Sequence, residues 1–192
     1  YEQVYMTDSP RFVTDRETGE LLSNGSSKFT NITHDMIFDA YLPAEGDLRV
    51  EFNDSSTADV KYPVIVFVHG IGMDRGSGNA NWTSQYLANL GYAVFDMSYG
   101  FTGMADYPYT GGKEKGYDFP DMVKQLGNFT KFLSRPEIAS AYHADITNTY
   151  FAGRSFGGWL CMNLAWLYNT SFARGNFSES LHVNGAVPYY PA

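Results

Sequence analysis

The sequence predicts an α/β fold, a doubly wound and mostly parallel sheet with helices on both faces. Apolar strand patterns alternate with helical patterns along most of the chain. The run from Val64 to Val68 is continuously apolar and rich in β-branched residues, which is typical of a strand buried on both faces of a parallel sheet. The chain has 192 residues, of which 44% are hydrophobic, so it is long enough for one domain with a real core.

The first third of the chain predicts an appended segment and one strand. Residues 1–30 are mixed and polar, and we expect them to form an N-terminal extension that packs on the core. The core itself spans residues 31–192, and we expect it to be incomplete at its C-terminus. Residues 31–43 alternate between the two faces of a strand that Pro43 ends. Residues 44–61 are charged and indicate a surface loop.

The middle of the chain predicts strand, helix, strand and a long loop. The buried strand ends in a glycine-rich loop that begins at His69. Residues 80–90 predict an amphipathic helix with Trp82, Tyr86, Leu87 and Leu90 on one face. Another strand covers residues 92–97. The loop 99–117 is long enough to indicate a functional role at a site opening, with ordinary surface looping as the alternative.

The last third predicts two helices around a strand. Asp118 caps a helix that has Pro120 in its first turn. The helix that follows the next strand is apolar almost all round, so we expect it to be deeply buried. A polar loop then leads to a final strand over residues 183–190.

The segment Tyr150–Trp159 carries the strongest motif, a Gly-x-Ser-x-Gly sequence between a strand and a helix. Gly153 and Gly157 flank Ser155 at two residues on each side. A turn that is tight enough to bring the strand end against the helix start leaves no room for side chains at the two glycines. It also holds the serine in a strained backbone conformation that lifts its hydroxyl above the sheet. The pattern is that of a nucleophile elbow.

With this motif the chain resembles the α/β-hydrolase superfamily, and more narrowly the secreted carboxylesterases of the feruloyl- and acetyl-esterase kind. The matching positions are Tyr41-Leu42-Pro43, His69-Gly70, Asp96, Ala144-Asp145 and Gly153 to Gly158. The resemblance implies that Ser155 attacks carboxylic esters and forms an acyl-enzyme, without a metal or cofactor. It also implies an oxyanion hole made by the backbone N–H of Phe156 and that of Ile71 or Gly72. Its substrates would be small esters or acylated polysaccharides.

The acid and base of a catalytic triad are not recognisable. The superfamily orders them after the serine, where this chain has only Glu179 and His182, and both are expected to be solvated loop residues. We expect His34 and His143 to be structural or exposed, and His69 to support the oxyanion loop.

Three explanations for the missing acid and base remain open. In the first, the chain is a piece of a longer protein or one of two chains that supply the acid and base. In the second, it is a non-catalytic glycoprotein with a binding or assembly role. In the third, an unrelated base operates. A serine peptidase of the prolyl-oligopeptidase type would share the same core. We also expect a second chain or self-association to cover an open sheet edge.

Asparagine sequons indicate a secreted glycoprotein. Seven N-x-S/T motifs are present, at Asn24, Asn31, Asn53, Asn81, Asn128, Asn169 and Asn176. The single cysteine, Cys161, lies within an apolar helix and is interpreted as a small buried hydrophobe. A net charge of −8 argues against nucleic acid and anionic membrane surfaces as partners. No apolar run is long enough to span a membrane.

Overall fold

The computed structural model describes residues 2–10, 33–44, 61–70, 80–99 and 119–191, with backbone alone for 2–10, 33–37 and 80. Its strands are β1 (Glu2–Pro10), β2 (Thr33–Tyr41), β3 (Tyr62–Val68), β4 (Ala93–Met97), β5 (Ala144–Arg154) and β6 (Val183–Tyr189). Its helices are α1 (Ala80–Asn89), α2 (Phe119–Leu133), α3 (Pro136–Ala141) and α4 (Phe156–Leu167). Apart from Tyr99, the predicted loop 99–117 lies outside the described residues, as do the predicted helix cap Asp118 and most of the charged segment 44–61.

The strands form one sheet in the order β1-β2-β4-β3-β5-β6. The four strands β4, β3, β5 and β6 run parallel, while β1 and β2 are antiparallel to their neighbours. The predicted mostly parallel α/β sheet is therefore confirmed. The strand β1 comes from the N-terminal residues and pairs with β2, so this part of the chain is the outermost strand of the same sheet.

The handedness of the connections decides which face each helix covers. A strand–helix–strand crossover between parallel strands is nearly always right-handed. The step from β3 to β4 runs towards the β1 edge, whereas the steps from β4 to β5 and from β5 to β6 run towards the β6 edge. Right-handed crossovers that run in opposite directions across the sheet place their helices on opposite faces of it. As a result, α1 lies on one face, and α2 and α4 lie on the other.

The larger core lies between the sheet and helices α2 and α4. It is built around Phe38, whose ring lies 5.2 Å from that of Phe129 and 5.5 Å from that of Phe132. Side chains from β3, such as Val64 and Val66, complete it without any exposed surface. Burying each such aromatic or aliphatic side chain contributes about 1.5–3 kcal/mol. Within the described residues, no helix is long and apolar enough to cross a membrane.

Large apolar side chains of α1 are exposed. Trp82 and Tyr86 on α1, and Leu90 directly after it, are exposed, and the buried residues of α1 are Ser84 and Ala88. Small side chains let α1 approach the sheet closely, which turns the larger ones outwards. The expectation that the helix after the elbow is deeply buried is wrong, because α4 packs on the sheet through one face only. Its outward face exposes Met162 and Trp166.

Candidate active site

Ser155 is the single residue between the end of β5 and the start of α4, and its backbone is strained. Its φ of 54° and ψ of −125° lie in a region that L-residues rarely adopt, at a cost of about 1–3 kcal/mol. The turn is held on both sides. The Ser155 N–H donates to the carbonyl oxygen of Tyr189 on β6 at 2.9 Å, and the Trp159 N–H donates to the Ser155 carbonyl oxygen at 3.1 Å.

Close backbone contacts explain the glycines around Ser155. A Cβ added at Gly157 would overlap the carbonyl oxygens of Val68 and His69, and one at Gly153 would overlap the Gly157 carbonyl group. A third glycine, Gly158, would place its Cβ 3.0 Å from the carbonyl oxygen of Tyr189. The start of α4 therefore lies directly against the backbone of β3, β5 and β6. Sequence reasoning assigned no role of its own to Gly158, because its constraint comes from the distant strand β6.

Ser155 is half-buried at the N-terminal end of α4. Its hydroxyl makes no capping hydrogen bond with α4, and we find no other partner for it among the described residues. The next residue, Phe156, opens the helix, and a first-turn N–H has no acceptor within its own helix. A positive helix end and a free N–H group thus lie beside an unengaged hydroxyl, which suits a site where negative charge develops on an oxygen.

His69 and Tyr99 lock the start of the loop that follows β3. The backbone N–H of Tyr99 donates to Nε2 of His69 at 3.4 Å, so Nε2 is unprotonated. Nδ1 then carries the proton and donates to the carbonyl oxygen of Gly70 at 2.9 Å. The Tyr99 ring stacks on the imidazole at 4.2 Å, and its hydroxyl donates to the His69 carbonyl oxygen at 2.6 Å. Burial raises the pKa of Tyr99, which keeps this hydroxyl a donor.

This arrangement gives His69 a supporting position and engages both of its ring nitrogens. Strand β3 pairs with β5 so that Val68 lies beside Gly153, and the chain leaves β3 next to the elbow. The two oxyanion candidates of this loop, Ile71 and Gly72, lie outside the described residues.

The remaining candidate acid and base lie far from Ser155. His182 is exposed just before β6, whose other end contacts Ser155 through Tyr189, so the length of the strand, roughly 20 Å, separates them. Glu179 is exposed three residues earlier. His143 precedes β5 at the same distant end of the sheet, and the side chain of His34 is not among those described.

Four of the seven candidate glycosylation residues are described. Asn81 and Asn169 are exposed, whereas Asn128 and Asn176 are half-buried on or beside α2. Asn81 accepts a hydrogen bond from the Tyr41 hydroxyl at 2.7 Å. Asn24, Asn31 and Asn53 lie outside the described residues.

Cys161 does not belong to the site. It is fully buried in α4, and burial raises the pKa of its thiol to about 12. In the part of the chain that the structure describes, no three His, Cys, Asp or Glu residues are grouped so that they could hold a metal ion.

No protein-family model and no curated protein sequence matches the chain. Solved structures do match, among them esterase 2 of Thermogutta terrifontis in several states. The form phosphonylated by cyclosarin aligns with a TM-score of 0.60 at 14% identity and covers 100% of this chain and 56% of its own. The propionate-bound form gives 0.58 at 16% identity, with 100% and 54% covered. The form phosphorylated by paraoxon gives 0.58 at 15%, with 100% and 56% covered.

These similarities establish an α/β-hydrolase-like fold for this chain. The chain spans just over half the length of the esterase structures that it matches. Identities this low show the fold alone, so the chemistry has to be argued from the site.

Proposed function

We propose that this chain carries the nucleophile of a secreted serine esterase, with Ser155 forming the acyl-enzyme. The observation that supports this most is the strained backbone of Ser155 between β5 and α4. A strain of this kind persists only where the surrounding structure imposes it, and here the close approach at Gly157 does so. At an ordinary helix start, a serine in this position would have an unstrained backbone and its side chain would cap the helix. Ser155 has a strained backbone, and its side chain makes no capping hydrogen bond.

The reaction would proceed by two acyl transfers. The Ser155 oxygen attacks the ester carbonyl carbon while a base removes its proton, and the N–H of Phe156 stabilises the developing oxyanion. The C–O bond to the alcohol then breaks, and the alcohol leaves with the proton that the base returns. Water then attacks the acyl-enzyme in the same way, which releases the carboxylic acid and restores the Ser155 hydroxyl. Both ring nitrogens of His69 are engaged and His182 lies a strand length away, so neither suits the role of this base.

The substrate class of this proposal is a carboxylic ester, either a small ester or an acylated polysaccharide. The similar Thermogutta protein is named an esterase, and its propionate-bound and phosphonylated forms are consistent with acyl chemistry at such a site. Secretion and N-glycosylation belong to the same proposal. Their support is the seven sequons and the exposure of Asn81 and Asn169.

Labelling with a fluorophosphonate probe tests the nucleophile. We expect covalent labelling of a longer form of the polypeptide that supplies the base, mapped by mass spectrometry to the peptide with Ser155, and no labelling of Ser155→Ala in the same form. Ser180→Ala is a matched control, because Ser180 is exposed, belongs to no sequon and has a side chain that hydrogen-bonds to Ser178 two residues away. If the probe leaves Ser155 unmodified in the folded longer form, the proposal is contradicted.

A second candidate is a non-catalytic glycoprotein that uses the same fold for binding or assembly. The observation that favours it is the distance of His182 and Glu179 from the elbow. In that case Ser155→Ala would leave the protein's biological activity unchanged, and a longer form of the polypeptide would still hydrolyse no p-nitrophenyl ester. Measurable turnover that Ser155→Ala abolishes would decide for the esterase.

A further inference from the structure

The carbonyl oxygen of His69 lies where the loop after β3 meets the elbow. A Cβ added at Gly157 would overlap this oxygen, so the first turn of α4 packs directly against it. Ser155 lies two residues before Gly157 along the chain. The Tyr99 hydroxyl donates to the same His69 oxygen at 2.6 Å. One tyrosine hydroxyl therefore binds the peptide group at which the loop touches the helix of the nucleophile.

The sheet holds Tyr99 and His69 in a fixed relation to each other. Met97, the last residue of β4, pairs with Val68, the last residue of β3. His69 directly follows Val68, and Tyr99 lies two residues after Met97. The Tyr99 side chain is 1% exposed, and its ring stacks on the imidazole of His69 with the planes 22° apart. The phenol hydroxyl therefore has little freedom to move relative to the His69 carbonyl.

The hydroxyl is the part of Tyr99 that packing does not require. The ring of a phenylalanine would fill the same space, and a buried polar group is costly unless it is hydrogen-bonded. The hydroxyl of Tyr99 meets this requirement through the His69 carbonyl oxygen. Its presence in the core thus has a geometric consequence, because it sets the direction of that carbonyl group.

The next peptide of the loop is held through the same pair of residues. The Tyr99 N–H donates to Nε2 of His69, which leaves Nδ1 to donate to the carbonyl oxygen of Gly70 at 2.9 Å. A peptide group is planar, so an anchored Gly70 carbonyl also restricts the N–H that shares its plane. That N–H belongs to Ile71, one of the two residues from which the resemblance implies the second oxyanion donor.

We infer that Tyr99 is a positioning residue for the oxyanion hole, an inference that rests on the proposed function of Ser155. The Tyr99 hydroxyl fixes the start of the loop against the first turn of α4, so that the N–H donor of the loop and the N–H of Phe156 serve the same oxyanion. Donors that are in place before the reaction stabilise this charge without reorganisation. The charge develops in the transition state, so a loss of alignment lowers kcat and leaves KM nearly unchanged.

The variant Tyr99→Phe, in a longer form of the polypeptide that supplies the base, tests this role. It keeps the ring and removes only the hydroxyl. We expect kcat for a p-nitrophenyl ester to fall about 10-fold, which is less than the roughly 100- to 1,000-fold loss on removal of a whole oxyanion donor. We expect KM to change by less than about 2-fold. An alkyl boronic acid forms a tetrahedral anionic adduct with the serine oxygen, so its affinity should fall by about the same factor as kcat/KM.

Tyr142→Phe is the matched control. Tyr142 is also a buried tyrosine, 8% exposed, but it lies just before β5, at the opposite end of this strand from Ser155. Removal of its hydroxyl should leave kcat and the boronate affinity unchanged. Hydrogen–deuterium exchange of the peptide that contains His69 and Gly70 gives a readout that does not depend on catalysis, and it should be faster in Tyr99→Phe alone. Circular dichroism verifies that both variants fold.

Three outcomes would overturn the positioning role and leave the esterase intact. One is a Tyr99→Phe variant with unchanged kcat and boronate affinity. Another is an equal loss of kcat in Tyr142→Phe, which would indicate a general effect on the core. The third is a rise in KM with unchanged kcat, which would assign Tyr99 to substrate binding. If the unmodified longer form neither hydrolyses esters nor reacts at Ser155 with the fluorophosphonate probe, the esterase proposal fails, and the positioning role fails with it.

Discussion

Replacing Gly157 with alanine would place a methyl group against the carbonyl oxygens of Val68 and His69. Both are backbone atoms at the end of β3, held in a parallel ladder with β5, so no flexible side chain can move aside. The clash can be relieved only if α4 shifts away from the sheet. Overpacking of this kind costs about 1–3 kcal/mol, and sometimes more. Alanine would otherwise favour a helix by up to about 1 kcal/mol relative to glycine, so the two effects oppose each other.

We expect the steric effect to dominate, with Gly157→Ala destabilising the chain by about 2 kcal/mol or more. For a domain of this size that corresponds to a fall in Tm of roughly 4–8 °C. Urea unfolding followed by circular dichroism measures the free energy directly. The matched control is Gly185→Ala on β6, where an added Cβ would have only Tyr150 Cδ1 nearby, at 3.9 Å. This control should be neutral or slightly stabilising. If Gly157→Ala were as stable as the unmodified chain, α4 would not approach β3 as described.

Three further predictions concern other residues. Burial raises the pKa of the Cys161 thiol from 9.0 to about 12, while the thiol of the unfolded chain still ionises near 9.0. The free energy of unfolding should therefore decrease as the pH rises above about 9. A thiol reagent should modify Cys161 only after unfolding, and rapid modification of the folded chain would contradict this. His69→Phe should cost about 1–3 kcal/mol in urea unfolding, since the buried N–H of Tyr99 loses its acceptor, and an unchanged midpoint would remove the supporting role of His69. In a secretory host, glycopeptide mapping should find a glycan on the exposed Asn169 more often than on the half-buried Asn128. Equal glycan occupancy at both residues would show that exposure does not determine the extent of glycosylation.

Strand and helix patterns carried most of the fold information in the sequence. The β-branched run ending at Val68 and the Gly-x-Ser-x-Gly motif predict a parallel sheet with an elbow, and both elements lie where expected. The local sequence pattern is sufficient for this prediction, because a strand that is buried on both faces forms an uninterrupted apolar run. Helix α3 was missed, and it is only six residues long with no buried side chain.

The candidate site could be predicted in part. Ser155 and its flanking glycines follow from the motif, since their constraint is local. The role of Gly158 and the tautomer of His69 could not be predicted, because they depend on Tyr189 and Tyr99, which are distant in sequence. The exposure of Trp82 and Tyr86 on α1 could not be predicted either, because periodicity identifies an apolar face and does not say whether a neighbour covers it.

The sequence by itself determined the type of fold, the residue on the elbow and the candidate residues for glycosylation, since each depends on neighbours along the chain. Only the tertiary structure decided which face each helix covers, through the direction of each crossover across the sheet. It separated His182 from Ser155 by the length of a strand, although the two are close in sequence. It also brought the carbonyl oxygen of Tyr189 against the N–H of Ser155. Packing between distant segments creates such contacts, and no local pattern encodes them.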